Sequence, residues 1–299
     1  MKIVLTGATG FIGTHLANML EQKGHELIIL TRNPQRYENR INPKRSYRAL
    51  EDDMFDAVGQ CDAIINLAGE NMIFRRWSES TKKKLMNSRV GVTSQLVEAI
   101  GKAKKKPSVL ISASAAGYYG SRGDDELTEK EPPGNDFTAE ICKRWEEESR
   151  KAEKYGVRVV NPRFGVVLER DGGALKTMLP FFKLFMGASV GDGNQYFPWV
   201  HMRDLNNSIL FALQEEKIRG AYNACSPNPV TIDEFTTTLG KVIHRPAAFR
   251  IPGFLIKRIF GDGSITILAS LRMIPGVLQN HDFKFEYPKV EGALHSLLK

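Results

Sequence analysis

The segment LTGATGFIGTHLA places Gly7, Gly10 and Gly13 three residues apart, between an apolar run and a helical pattern. Residues without side chains at that spacing can bind an anion. The first allows a tight turn, the second lets main chain approach a diphosphate, and the third lets the helix seat close to the strand with its free N-terminal amides facing the ligand. The spacing is GxxGxxG rather than the commoner GxGxxG, and a tight turn without a ligand is the alternative reading. With a strand before it and an amphipathic helix after it, the motif predicts a dinucleotide held by Gly7, Thr9, Gly10, Phe11, Ile12 and Gly13. The end of the next apolar run, HELIILTRNP, predicts which one. An acid there would hold the ribose 2′-hydroxyl, but Thr31 and Arg32 occupy the position. A guanidinium suits a 2′-phosphate, which favours NADP over NAD; a plain surface arginine is the alternative. Leu67, Ala68 and Gly69 of NLAG, small residues after a third apolar run, predict a second wall beside the cofactor.

A second set of residues could handle protons and substrate. Ser112, Ser114, Tyr118 and Tyr119 fall in SASAAGYYG, directly after the apolar run SVLIS. Ser112 is expected at the cofactor and Ser114 at a substrate oxygen, while Tyr118 or Tyr119 would give or take the proton; lining the pocket is the alternative for both tyrosines. Arg163 in NPRFG ends another apolar run. There it would clamp a phosphate or carboxylate of cofactor or substrate, or else serve the fold. Residues 187–205, GASVGDGNQYFPWVHMRDL, read as a glycine-rich loop that folds over a substrate and presents Gln195, Trp199 and His201. His201 is the side chain here whose ordinary pKa suits acid-base work near neutrality, with a hydrogen-bonded structural role as the alternative. His201 and Asp204 lack further ligands, so no metal is expected.

These residues need a scaffold that brings strand ends together. Strand-like runs MKIVLTG, HELIILTR, DAIINLAG, SVLISAS and VRVVNPRFG alternate with helical patterns, and their apolar residues are not restricted to alternate positions. That combination predicts an α/β fold, a Rossmann-type doubly wound parallel sheet whose ligands lie at the carboxyl ends of the strands. One of the helices is DFTAEICKRWEEE, residues 136–148, with Phe137, Ile141 and Trp145 in a stripe. From residue 229 the pattern changes, which suggests a cofactor-binding domain over 1–228 and a small substrate-side domain over 229–299. The 299 residues, 42% hydrophobic and 25% charged, describe a water-soluble globular chain. No run reaches the roughly 18 uncharged apolar residues of a membrane span. The start lacks the features of a signal peptide, so the expected compartment is the cytoplasm, with no membrane partner. Cys61, Cys142 and Cys225 are widely spaced and expected to be reduced and structural. The net charge of +8 includes clusters at Lys82–Lys84 and at 102–106. Neither is interleaved with stacking aromatics, and the second reads as a helix end, so no nucleic-acid partner is expected.

LTGATGFIG, NLAG, SASAAGYYG and NPRFG together resemble the extended short-chain dehydrogenases/reductases of the NAD-dependent epimerase/dehydratase superfamily. RRWSESTKKKLMNSRV, CKRWE, GVVLERDGGAL, YFPWVHMRDL and the terminal FKFEYP are similar to one atypical branch of it, the epimerase family proteins, which carry a small C-terminal domain of unknown function. The resemblance spans nearly the whole chain and implies a cofactor-side contact for Arg89. In catalytic members the helix after SASAAGYYG carries Tyr-x-x-x-Lys, whose lysine holds the nicotinamide ribose and lowers the phenol's pKa. Here Lys143 aligns with that lysine only if Ala139 takes the tyrosine position, and a shift by one pairs Thr138 with Cys142. Counting back from Tyr119 likewise puts Ala115 at the serine position, one residue after Ser114. The resemblance therefore implies an NADP-dependent oxidoreductase, epimerase or dehydratase without the usual dyad, acting on a small polar or nucleotide-linked substrate. The alternative is an NADP-binding sensor or interaction protein without turnover.

Overall fold

The computed structural model describes residues 1–37 and 44–299. Five strands, β1 (Lys2–Thr6), β2 (Glu26–Thr31), β3 (Arg45–Ala49), β4 (Ala63–Asn66) and β5 (Val109–Ser112), join Arg158–Phe164 and Gly220–Ala224 in one sheet. From edge to edge the order is Gly220–Ala224, Arg158–Phe164, β5, β4, β1, β2, β3, with every neighbouring pair parallel. The order reverses direction at β1, where the chain passes from one half of the sheet to the other. Such a switch point opens a crevice at the strands' carboxyl ends.

The apolar runs bury on both faces because successive side chains point to opposite sides. Ile3 and Leu5 join one core with Leu16 and Leu20 of α1 (Phe11–Gln22), while Val4 joins another with Met54 and Ala57 of α2 (Met54–Gly59). α3 (Glu79–Met86) runs through a π turn at Asn87–Gly91 into α4 (Val92–Lys102), which packs on the α2 side. There Lys106 Nζ donates to the carbonyls of Ile100, Gly101 and Ala103 at 2.8, 2.8 and 2.6 Å, so part of the 102–106 cluster satisfies the end of a helix. α5 (Phe137–Arg150) begins at Asp136, whose Oδ1 accepts from the amides of Thr138 and Ala139 at 2.8 and 3.0 Å.

Residues after 229 share cores with the preceding chain. α8 (Ile232–Val242) opens with a reciprocal cap between Thr231 and Glu234. Its Phe235 and Leu239 pack with Leu175 and Phe182 of α6 (Gly173–Lys183), with Trp199, and with Ala293 and Leu294 of the last helix, Val290–Leu298. Leu278 and Phe283 reach further and enter the core under the sheet beside Ile209 of α7 (Met202–Gln214). α9 (Gly253–Phe260) lies on the surface.

The expected loop at 187–205 is laced to the rest of the molecule. Ala188–Val190 pairs with Phe249–Ile251, Tyr196–Phe197 with Val230–Thr231, and Trp199–His201 with Val166–Glu169. Main-chain pairing in three places replaces the lid expected from its glycines, because local composition does not reveal which distant strands are available. Among the described residues no helix is long and apolar enough to cross a membrane.

Candidate functional site

The first glycine turn is fixed by main chain on two sides. Gly7 has φ of +69°, and an added Cβ would stand 2.5 Å from the Leu67 carbonyl oxygen, so the turn is sealed against NLAG. A Cβ on Gly13 would collide with the Gly7 carbonyl, which is how the helix comes to lie so close to β1. Gly10 differs. It is exposed at the N-cap of α1, and no side chain caps the amides that follow. Thr9 is exposed, Phe11 and Ile12 are half-buried, and the unused amides of the first turn point to the carboxyl edge of the sheet. This cradle fits a diphosphate.

Arg32 is exposed at the end of β2, with Nη1 3.6 Å from Glu70 Oε1; Arg75 approaches the other oxygen of Glu70 at 3.6 Å. So exposed and long a pair holds the guanidinium weakly, leaving it free to meet a phosphate. Leu67 and Ala68 are half-buried and Gly69 is exposed, forming the rim opposite the glycine turn. A Cβ on Gly69 would stand 3.1 Å from Arg89 Cζ. Arg89, on the π turn, donates to the Glu70 carbonyl at 2.8 Å and lies 5.4 Å from the Trp145 ring centroid. Burial lowers its pKa, and among the described residues it has no ion-pair partner.

Ser112 does not reach this edge. It is buried, its Oγ accepting from Asn66 at 3.1 Å and its carbonyl from Asn161 at 3.0 Å. Asn66 also accepts from Thr6 Oγ1 at 2.7 Å and donates to Thr93 at 2.8 Å, so Ser112 belongs to a knot joining β1, β4, β5 and α4. The expected cofactor contact of the Ser112 side chain is corrected to a tie inside the sheet.

Docking of α5 shows which of its residues face the strand-end turn. Thr138 Oγ1 donates to the Gly117 carbonyl at 3.2 Å, and the Cys142 thiol reaches the Ser114 side chain and the Ala115 main chain. Glu146, one turn on, accepts from Ser114 Oγ at 2.7 Å. The column facing the strand-end turn is therefore Thr138, Cys142 and Glu146. Lys143 is exposed on the outer face, 4.0 Å from Glu147. Burial pushes the Cys142 thiol up to about 12, so it is neutral at physiological pH and offers no base.

Glu146 is the hub of a buried network. Arg163 donates to both its oxygens, Nε at 2.8 Å and Nη2 at 3.0 Å, and Arg163 Nη1 donates to Tyr119 Oη at 2.9 Å. The Tyr119 hydroxyl in turn donates to Asn223 Oδ1 at 2.6 Å. Burial would lower the Arg163 pKa, but the paired carboxylate outweighs it and the guanidinium is held charged. Burial raises the Tyr119 phenol far above its ordinary value. Arg163 is 2% exposed, Ser114 1% and Tyr119 0%, so all three side chains are turned inward. Clamp, polariser and proton donor are corrected to parts of one internal ion network. Tyr118 is the exception among the expected proton handlers. Half-buried, it stacks on the Arg163 guanidinium at 3.4 Å from the ring centroid, and among the described residues its hydroxyl has no hydrogen-bond partner.

His201 and Trp199 also lie inside. His201 caps α7, its Nδ1 accepting from the Arg203 amide at 3.0 Å; Nε2 is 3.2 Å from Ser296 Oγ and the ring stacks on Tyr287 at 4.0 Å. Burial, followed by the Arg203 charge, depresses its pKa to about 4. Trp199 fills the core between α6 and α8. Gln195 is committed to Val190 and Gly193 at 2.7 and 2.9 Å. Asp204 accepts from the amides of Glu286 and Tyr287 at 2.7 and 2.9 Å, pinning FKFEYP. The substrate contacts expected of Trp199 and His201 are corrected to joints between segments. Among the described residues no His, Cys, Asp or Glu cluster could hold a metal ion.

Glu146, Asn223 and Asn66 escaped the sequence reading. For Glu146 a signal existed: it sits four residues after Cys142 and three before Ser149, on the side of α5 that buries Trp145.

Comparison with known proteins agrees with the geometry of the glycine turn. The sequence profile of the NAD dependent epimerase/dehydratase family matches residues 3–225, and that of a domain of unknown function, DUF1731, matches residues 251–297. The chain is 38% identical over 305 residues to an Arabidopsis thaliana protein named epimerase family protein SDR39U1 homolog, chloroplastic, covering 100% of this chain and 87% of that one. It is 35% identical to the Bacillus subtilis epimerase family protein YfhF, covering 100% and 98%. The crystal structure of human epimerase family protein SDR39U1 (isoform 2) with NADPH superposes with a TM-score of 0.88 at 32% identity, over 99% of each chain.

Proposed function

Because the chain belongs to the NAD dependent epimerase/dehydratase family, we propose that it binds NADP(H) and transfers hydride to or from a small polar or nucleotide-linked substrate without the family's Tyr-x-x-x-Lys dyad. The amides of the first turn of α1 would hold the diphosphate, Arg32 the 2′-phosphate, and Leu67–Gly69 the inner wall. The human relative's NADPH supports this assignment. When bound, the cofactor supplies or accepts the hydride. Arg89, half-buried against the Glu70 carbonyl and without an ion pair among the described residues, supplies the positive charge that a lysine supplies elsewhere in the family.

The carrying observation is the column Thr138, Cys142 and Glu146 at the strand-end turn. It leaves the Tyr118 hydroxyl as the one expected proton handler not already used internally, so Tyr118 or a water beside it moves the proton. A proton passed by a phenol or water, paired with a hydride to or from the nicotinamide, suits interconversion of a carbonyl and an alcohol. The test is calorimetric titration with NADPH and NADH, followed by stereospecific deuterium transfer from labelled NADPH across carbonyl substrates. Heat for neither cofactor in folded protein would sink the reading.

A second reading is favoured by the internal network. Ser114, Tyr119 and Arg163 are used to hold Glu146, as in a protein that binds cofactor and signals its presence. Tight NADPH binding with no label transfer to any substrate would select it.

A further inference from the structure

Three neighbouring segments expose apolar side chains that nothing in the fold covers. At the end of α6 these are Phe181, Leu184, Phe185 and Met186; on the strand Phe249–Ile251 they are its two ends; on α9 they are Phe254, Leu255 and Ile259. Leu184 is 69% exposed and Phe254 67%. The segments adjoin: the Phe249 amide donates to the Gly187 carbonyl at 3.1 Å, and the Arg245 guanidinium lies 4.5 Å from the Phe185 ring centroid. Arg250 turns to Asp233 of α8 at 2.6 Å, so alternation along the strand turns Phe249 and Ile251 away from α8. α9 buries only Ile256 and sends its larger apolar side chains outward, the reverse of a helix that packs on a core.

The charge along these segments is predominantly basic, with Asp233 paired to Arg250 and Asp192 and Asp262 at their ends. Residues 172–191 contain Lys176 and Lys183 and no Asp or Glu, and residues 235–261 contain Lys241, Arg245, Arg250, Lys257 and Arg258 and none. Beside Phe185 an open depression of about 530 Å³ is lined by Thr237, Lys241, His244, Arg245 and Pro246. Apolar side chains among cations, on a helix with its apolar side outward, are what an anionic lipid surface binds: rings and aliphatic chains enter the acyl boundary while lysine and arginine meet phosphates. A protein partner would need an acidic rim around an apolar centre, a rarer match to a face whose unpaired charges are mostly cations. We infer that this face, α9 together with the end of α6 and the strand Phe249–Ile251, docks the protein on an anionic membrane. Peripheral contact of this kind needs no spanning segment, and it goes beyond the expectation of no membrane partner.

The test is flotation of the full chain with vesicles of equal parts phosphatidylglycerol and phosphatidylcholine at low salt. The protein should float with these vesicles, stay behind with pure phosphatidylcholine, and be released by about 0.5 M salt, where charges are screened within a few ångströms. Millimolar inorganic phosphate should not release it, which separates a lipid surface from a phosphate pocket. Phe254→Ser combined with Leu255→Ser and Ile259→Ser, and separately Lys257→Glu with Arg258→Glu, should each lower vesicle binding on the order of tenfold or more. Both variants alter exposed residues, and unchanged melting and NADPH titrations would show them folded. Failure of the unmodified chain to float, equal binding to neutral vesicles, or no loss in either variant overturns the inference. A dimer in sedimentation that the triple substitution dissolves, with no vesicle uptake, would instead make the face a contact between copies.

Discussion

The carboxyl edge of the sheet has two unlike ends. Around Gly7, Gly10 and Gly13 the protein fixes its main chain and leaves hydrogen-bonding groups turned outward, with no side chain capping α1. Around Ser114 and α5 it does the opposite: hydroxyl, phenol, guanidinium and carboxylate are turned inward and satisfy one another. The first end is prepared for a ligand before one arrives. At the second, hydroxyl, phenol, guanidinium and carboxylate are spent on one another, and the contrast is between a rim of free main-chain groups and a closed side-chain network.

The sharpest way to break the contrast is to treat the second end as a site. Arg163→Ala leaves the Glu146 carboxylate buried and unpaired, and is expected to cost about 3–5 kcal/mol in urea denaturation. A variant with normal stability would put Arg163 back among ligand contacts. The adjacent tyrosines divide the two roles: Tyr118→Phe should lower any hydride transfer roughly a hundredfold at unchanged stability and NADPH affinity. Tyr119→Phe should instead lose about 1–2 kcal/mol of stability, because Asn223 and Arg163 each lose a buried partner. Equal effects of the two on turnover would remove the division. At the first end, Arg32→Ala should weaken NADPH tenfold to a hundredfold in calorimetry and leave NADH almost unchanged.

A further effect is a pH dependence. The folded pKa of His201, about 4, lies below the unfolded value, so the native state favours the neutral ring. Its contribution is complete above about pH 6.5 and is lost as pH falls from there through 4, amounting to roughly 3 kcal/mol. Thermal melts between pH 7 and 4 should show this loss, and His201→Asn, which keeps a cap acceptor, should flatten it. An unchanged slope in that variant would place the titrating group elsewhere.

Legibility followed the range of the interaction. The glycine turn could be read because spacing, strand and helix all lie within the first 22 residues. The helix over 137–150 was equally plain from its stripe. Which of two adjacent residues on it faces the sheet was not, since Thr138 and Ala139 are both buried and docking alone chooses between them. Glu146 sits in a run of charges that reads as solvated, and its partner Arg163 comes from another strand 17 residues away. The segment 187–205 looked mobile because its three pairing partners are spread from residue 166 to residue 251. A pattern within one segment shows which faces are apolar; it does not show what distant chain will cover them.

Leu278 and Phe283 give the molecule an order of assembly. They stand in the core beneath the first strands, and Phe283 meets Phe211 of α7 with ring centroids 5.4 Å apart. That flank of the sheet therefore stays wet on the ribosome until residues 278–283 have emerged. A release that stops short of these two residues leaves a finished nucleotide cradle on an unfinished protein, which quality control would meet as exposed leucine and phenylalanine.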